Sequence, residues 1–213
     1  MRDVYHEDLD SIGRTLIEMT GLVGTAMSRA TAALLGADLQ VAESVISADD
    51  AVDSLQQELD ARALDLLARQ QPVAGDLRTI ITSLRMSADL ERMGDLARHV
   101  AKIARLRYPE VAVPEDLRAT IKEMGRVAAE LAQKTGEIID GRDVDSAREL
   151  PLDDDAMDEL HRKLYSTLLE NTAAYPVETA VDVTLIGRYY ERFADHAVSV
   201  ARRLVFLVTG EYS

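Results

Sequence analysis

Hydrophobic and polar residues follow one pattern through almost the whole chain. Apolar residues recur at steps of three and four, which is the periodicity of an amphipathic α-helix. No segment shows the strict alternation of a half-buried strand or a valine- and isoleucine-rich run between turns. The pattern predicts an all-α protein.

Turn-forming residues interrupt the pattern at five places, which are residues 36–38, 71–76, 108–114, 141–143 and 174–176. Asp38, Asp76 and Asp143 stand where the N-caps of the following helices belong. We therefore expect six long antiparallel helices.

The chain also contains an internal repeat. Residues 90–97 match residues 190–197, one hundred positions later, and an acidic cluster precedes each copy at residues 49–53 and 154–158. We expect helices one to three and four to six to be copies of one three-helix unit, packed side by side. This gives two domains, residues 1–108 and 114–213, linked by residues 109–114.

The charge of the chain limits its partners. With a formal net charge of −14 it repels phosphate backbones and anionic membrane faces, so we expect no nucleic acid partner. An acidic surface suits metal cations or a basic patch on another protein. The sequence has no cysteine, which excludes disulfides and thiolate metal sites. The N-terminus lacks the regions of a signal peptide and no apolar run could span a bilayer, so we expect a cytoplasmic protein without membrane insertion.

Four segments carry an acidic residue followed four positions later by aspartate. Residues at this spacing differ by about 40° around a helix and project from one face. The four pairs are Asp49 and Asp53, Glu91 and Asp95, Asp154 and Asp158, and Glu191 and Asp195. If the second and third helices of each unit are neighbours, two pairs converge into four carboxylates, which would bind a hard cation through oxygen alone.

A solvent-exposed acidic face is the alternative for these pairs, helped by Arg92 and Arg192, which lie three residues before Asp95 and Asp195. On a helical wheel, however, the acids of the third helix continue a stripe that includes Leu77, Ile81, Leu84 and Ala88. The corresponding acids of the sixth helix share a stripe with Val177, Ala180 and Val181. These stripes resemble packing faces, where an uncompensated charge is costly.

Little in the sequence supports catalysis. We expect His6, His99 and His161 to be solvated, and His196 points about 100° away from Asp195. The chain has no Glu-x-x-His, no Walker A motif, no paired-glycine nucleotide fingerprint and no nucleophile elbow. We do not expect an enzyme.

Three stretches together resemble the PhoU family of phosphate-specific transport accessory proteins. Residues 69–78 are similar to that family's Gln-Pro-x-Ala-x-Asp-Leu-Arg turn into its third helix. Residues 89–95 are similar to its acidic motif, and residues 194–197 end a degenerate copy of that motif. Together with the two acidic clusters, the resemblance covers essentially the whole chain.

The resemblance implies two pseudo-symmetric three-helix bundles and a non-catalytic adaptor. Members of this family link the phosphate ABC transporter to a sensor histidine kinase and damp the phosphate-starvation response when phosphate is plentiful. The expected partners are therefore the transporter's ATPase subunit and that kinase, and we also expect a homodimer.

Some family members bind iron or zinc clusters through acid-x-x-x-Asp motifs, and here that role would fall on the eight acids of the four pairs. Phe193 and Ala194 depart from the family's usual Ile-Gly, so we do not expect the two sites to be equally occupied.

Two further functions stay open at this stage. An oxygen-ligated metal-binding bundle with a storage or enzymatic role would need open metal positions beside an acid, base or nucleophile, or a Glu-x-x-His set. A purely structural scaffold would leave the duplicated acid pairs unexplained.

Overall fold

The computed structural model of the protein describes residues 2–70, 72–171 and 174–211, and every regular element in them is an α-helix. The helices are α1 (Arg2–Gly36), α2 (Leu39–Gln70), α3 (Gly75–Arg107), α4 (Glu115–Gly141), α5 (Val144–Glu170) and α6 (Val177–Thr209). The prediction of six long helices is confirmed. None of the helices in these ranges has the length and hydropathy to cross a bilayer.

Two of the three predicted N-caps are confirmed. Asp38 Oδ1 accepts a hydrogen bond from the Val41 backbone N–H at 3.0 Å. Asp143 Oδ1 accepts from the backbone N–H groups two and three residues later, both at 3.1 Å. The prediction for Asp76 is wrong, because α3 starts one residue before it with Ala74 as its N-cap residue. Asp76 lies inside the first turn, where its charge complements the helix dipole.

The helices form two three-helix bundles that lie against each other. In the first half α1, α2 and α3 pack together, and in the second α4, α5 and α6 do so. The halves meet through α1 against α4 and through α3 against α6. Within the described residues α2 and α5 contact only helices of their own half, so they form the outer flanks.

The core is aliphatic and rich in alanine, and it runs without interruption through both halves. Its buried side chains come from all six helices, and Tyr190 and Phe193 are the largest of them. Because the halves share this core, independent folding of residues 1–108 and 114–213 stays a prediction.

A buried carboxylate joins the halves where α3 crosses α6. Asp89 accepts hydrogen bonds from Arg203 Nε at 2.6 Å and Ser199 Oγ at 3.1 Å, and it lies 3.0 Å from His196 Nδ1. Burial alone would raise the pKa of Asp89, but the hydrogen bonds with His196, Arg203 and Ser199 outweigh it and lower the pKa. This network fixes the register of α3 against α6.

A close approach of α1 and α4 makes the second contact between the halves. A Cβ atom at Gly125 would lie only 2.6 Å from Oγ1 and Cγ2 of Thr31. The hydroxyl groups of Thr31 and the fully buried Tyr190 lie 2.6 Å apart, which is hydrogen-bond distance. Glycine at position 125 therefore brings α1 close enough to α4 for Thr31 to reach α6.

Candidate functional site

The packing of α2 on α3, and of α5 on α6, brings the predicted acid pairs together. In the first half Asp49, Asp53, Glu91 and Asp95 face one another, and we name these four residues the first carboxylate cluster. In the second half Asp154, Asp158, Glu191 and Asp195 do the same and form the second carboxylate cluster. In both halves the acids from the two helices lie close enough to affect each other's pKa values.

In the first cluster, Asp49 is 6 % exposed. Burial raises the pKa of Asp49, Arg98 lowers it, and the charges of Asp53 and Asp95 raise it further, so the net direction is upward. Burial also raises the pKa of Glu91, with Asp95 as the next cause. The four carboxylates therefore repel one another at a place that solvent reaches only in part.

Arg98 sits within the first cluster and offsets part of this repulsion. Its Nη1 lies 2.7 Å from Asp49 Oδ2, and its Nη2 donates to Asp95 Oδ1. The Asp49 contact is close but has no hydrogen-bond geometry, so it is an ion pair rather than a directed hydrogen bond. Arg98 thus connects a carboxylate of α2 to a carboxylate of α3.

Gly94 allows α2 to approach α3 at this point. A Cβ atom at Gly94 would lie 2.9 Å from Asp49 Oδ1. The equivalent position in the second half is Ala194, which is fully buried. Ala194 therefore adds a methyl group to the surface of α6 beside the second cluster, at the position where α3 has Gly94.

The second cluster has the same four acids but a different balance of charge. Burial and the neighbouring carboxylates of Asp158, Asp195 and Glu191 all raise the pKa of Asp154, to about 6. Arg188 donates to Glu191 Oε1, while Glu191 Oε2 is buried without a hydrogen-bond partner among the described residues. The second cluster therefore keeps an unsatisfied carboxylate oxygen.

One position accounts for much of the difference in charge between the clusters. Glu91 and Asp95 correspond to Glu191 and Asp195 at an offset of one hundred, and the same offset places Val198 opposite Arg98. Val198 is buried and carries no charge. The sequence prediction did not include Arg98, because the offset shows that the repeats differ at this position but not that Arg98 reaches Asp49 of α2.

The chemistry of the clusters suits a hard cation, but their present arrangement does not form a finished metal site. Carboxylate oxygens are the ligands that such cations prefer. Across the described parts of the chain, no three histidine, aspartate or glutamate side chains are grouped as metal ligands. In the first cluster Arg98 already neutralises two carboxylates, so its residues fit a metal ion poorly. Each cluster has one buried carboxylate oxygen without a hydrogen-bond partner among the described residues, Asp49 Oδ2 in the first and Glu191 Oε2 in the second.

His99 and His161 were expected to be solvated, but both pack against aromatic rings. The side chain of His6 lies outside the described residues. His99 stacks on Tyr189 with ring centroids 5.2 Å apart, and burial lowers its pKa. His161 packs edge-on against Tyr165, and its buried Nε2 has no hydrogen-bond partner among the described residues. Both were expected in solvent because their neighbours in sequence are polar, but each ring lies against an aromatic residue.

The apolar stripes of α3 and α6 that continue into the acid pairs were predicted to be packing faces. At the N-terminal ends of the two helices this prediction is wrong, because the stripes are exposed. Leu77 is 40 % exposed and Ile81 37 %, and in α6 Val177 is 82 % exposed and Val181 52 %. The physical reason is that a helix in a three-helix bundle has neighbours on only part of its surface. These apolar residues project where no helix covers them.

The exposed apolar residues recur at equivalent positions of the two halves. Leu64 corresponds to Leu169 at the offset of 105 that relates Asp49 to Asp154, and both leucines are exposed. We name Leu64, Leu77 and Ile81 the first apolar patch, and Leu169, Val177 and Val181 the second. Because Arg107 near the C-terminus of α3 pairs with Asp182 near the N-terminus of α6, these helices are antiparallel and the patches lie towards opposite ends of the molecule.

Two surface grooves lie elsewhere. Two adjoining grooves of about 560 Å³ and 690 Å³ run between α1 and α4 and share Ser28, Ala129 and Gln133. Their linings contain none of the eight clustered acids.

Known proteins resemble this chain over its whole length. The PhoU domain model matches it twice, at residues 16–104 and 121–204. A protein of Mycobacterium tuberculosis named phosphate-specific transport system accessory protein PhoU homolog 2 is 50 % identical, with all of both chains covered. PhoU homolog 1 of Mycobacterium leprae is also 50 % identical, covering all of this chain and 96 % of that protein.

Solved structures agree with these relatives. The crystal structure of PhoU from Pseudomonas aeruginosa matches 97 % of this chain and 100 % of that chain, with a TM-score of 0.87 at 28 % identity. The phosphate transport system regulatory protein PhoU from Streptococcus pneumoniae matches 98 % of this chain and 99 % of that chain, with a TM-score of 0.88 at 25 % identity. The two repeats that match the family model, the full-length relatives and the fold together show that the chain belongs to the PhoU family.

Proposed function

We propose that the chain is a cytoplasmic accessory regulator of phosphate uptake and phosphate-starvation signalling. It acts as a non-catalytic adaptor between the ATPase subunit of the phosphate ABC transporter and a sensor histidine kinase, and it represses the response when phosphate is plentiful. Membership of the PhoU family supports the link to phosphate transport, because the curated relatives are named as accessory proteins of that system.

The duplicated apolar patches are the observation that carries the adaptor role. An adaptor needs surfaces that hold other proteins, and exposed aliphatic residues that recur at equivalent positions of both halves are suited to such contacts. Each patch leads along its helix towards a carboxylate cluster. A partner surface that matches this arrangement carries apolar side chains beside basic ones.

Direct binding of purified proteins tests the role of the patches. We expect the double variant Ile81→Ser, Val181→Ser to weaken binding to the ATPase subunit or the kinase at least tenfold, because loss of buried anchor contacts at an interface costs about 1–2 kcal/mol or more. Leu152→Ser is the matched control, since Leu152 is exposed but Ser47 stands at the equivalent position in the first half. Unchanged affinity of the double variant for both partners would contradict the adaptor role of the patches.

The second part of the proposal concerns a metal. We propose that the two carboxylate clusters bind iron or zinc through their oxygens, the second more readily than the first, since Arg98 already pairs with two carboxylates of the first. If this binding served storage or catalysis instead of regulation, the alternative function of an oxygen-ligated metal-binding bundle would apply. The expected homodimer also stays a prediction, and analytical ultracentrifugation measures it directly.

A further inference from the structure

A pseudo-two-fold axis relates the two halves, and the contacts between helices fix its place. The repeat makes α1 equivalent to α4, α2 to α5, and α3 to α6. An axis that exchanges the halves must pass through the contact of α1 with α4 and through the contact of α3 with α6. Because Arg107 near the end of α3 pairs with Asp182 near the start of α6, these helices are antiparallel, and the axis is perpendicular to them.

This axis places the two apolar patches on the same face of the molecule. Among the described residues α3 contacts α1, α2 and α6, and α6 contacts α4, α5 and α3. One neighbour of each helix lies along the axis and the other two lie on either side. The free surface of α3 is therefore opposite α1, and that of α6 is opposite α4. Ile81 and Val181 are exposed on these surfaces, which point in the same direction along the axis.

The patches are far apart on this face, and the acids lie between them. Val181 precedes Asp182, which pairs with Arg107 at the C-terminal end of α3. From Ile81 to Arg107 the helix rises about 40 Å at about 1.5 Å per residue, so about the same distance separates the two patches. The acids at residues 91–95 of α3 lie between these two levels. The axis places the acids of α6 between them as well.

A face with this symmetry fits a partner that has the same symmetry. A rotation of 180° places the aliphatic residues of one patch on those of the other, and it exchanges the two carboxylate clusters. A partner that covers both patches must present its own apolar and basic side chains twice, related by the same rotation. A two-fold homodimer has this property. Two unlike proteins would not need like surfaces, and an asymmetric protein could match only one patch.

The size of the patches also favours a partner that occupies both. Each patch consists of three exposed aliphatic side chains, whereas a specific protein interface buries about 800 Å² on each partner. One patch alone therefore suits only weak binding. When two linked subunits occupy both patches, the second contact forms within the same complex, which raises the overall affinity by about 10²–10⁴.

We infer that the two apolar patches hold the two subunits of one homodimeric protein, and that basic side chains of this protein lie over the carboxylate clusters. A single chain then spans the partner dimer across its two-fold axis. This inference rests on the proposed function, because it uses the adaptor role of the patches, and it adds the symmetry and the surface chemistry of the partner.

Variants of a single patch test the spanning. The chain is titrated with the purified ATPase subunit and with the kinase by isothermal titration calorimetry, and light scattering gives the mass of each complex. For at least one of these proteins we expect one chain per two partner subunits. Ile81→Ser and Val181→Ser should each weaken this binding at least about threefold at unchanged stoichiometry, and the double variant by the product of the two factors. The control Leu152→Ser should bind as the wild type does.

The possible outcomes separate this inference from the adaptor role. The adaptor role stands and the spanning is wrong if each partner is affected by only one of the two variants, or if one chain binds per partner subunit. The same holds if a single variant halves the number of bound subunits and leaves the remaining affinity unchanged. A homodimer of the chain that dissociates in the double variant would show that a second copy covers the patches instead. If the double variant binds both proteins as tightly as the wild type, the adaptor role of the patches fails as well.

Discussion

At the scale of single residues, the two carboxylate clusters show how one substitution changes the chemistry of a repeated site. Asp49 and Asp154 occupy equivalent positions, and burial raises the pKa of both. Arg98 opposes this effect at Asp49, whereas every other charge that shifts the pKa of Asp154 raises it further. The cost of burying this aspartate's negative charge is therefore partly offset by Arg98 in the first half, whereas the neighbouring carboxylates increase it in the second.

The pKa of Asp154 predicts a pH-dependent stability. Its value in the folded protein is about 6, above the ordinary value of 3.8, so the folded state takes up this proton before the unfolded state does. The contribution of Asp154 to stability therefore rises as the pH falls through 6 towards 4. Asp154→Asn should raise the free energy of unfolding at pH 7 by about 1 kcal/mol after solvent screening, with little effect at pH 4.

Urea unfolding at both pH values, with chelator present, measures this effect. Asp49→Asn is the matched comparison, and it should give a smaller gain at pH 7, because the pKa of Asp49 is also raised but Arg98 offsets part of the cost of its charge. A loss of stability at pH 7 in Asp154→Asn would contradict the described balance of charges.

At the scale of helices, the sequence predicts the elements well and their surroundings less well. The five breaks locate the ends of the helices because Pro, Gly and Asp act locally on the backbone. The acid pairs converge as expected, since a spacing of four fixes their common face. Helical periodicity does not reveal whether that face packs against another helix. For this reason the sequence does not predict that Leu77 and Val177 are exposed. The role of Arg98 also depends on a contact with α2, which the sequence of α3 does not contain.

The approach of α1 to α4 gives a prediction at this scale. In Gly125→Ala the new Cβ would overlap Thr31, so the free energy of unfolding should fall by about 1–3 kcal/mol. Gly21→Ala is the control in α1, because nothing lies within 4 Å of the added Cβ, and it should raise stability by about 0.5–1 kcal/mol. Chemical denaturation distinguishes them, and similar effects of the two substitutions would show that α1 and α4 do not pack as closely as described.

At the scale of the whole molecule, the duplication gives one chain two related but unequal faces. The halves share a core and are held in register by Asp89, so the patches and clusters keep fixed relative positions. The apolar patches are alike, while the clusters differ in charge through Arg98 and Val198. Under the proposed function, the two patches would each hold a partner subunit, and a cation would act differently on the two halves.

Under the proposed function the chain represses the phosphate-starvation response, and a promoter reporter in a deletion strain measures this repression. In phosphate-rich medium the strain without the gene should express the reporter as if starved, and the wild-type gene should restore repression. Complementation with Ile81→Ser, Val181→Ser should leave the reporter active, whereas Leu152→Ser should repress it. Full repression in phosphate-rich medium in the absence of the gene, in a strain without a paralogue, would contradict the account.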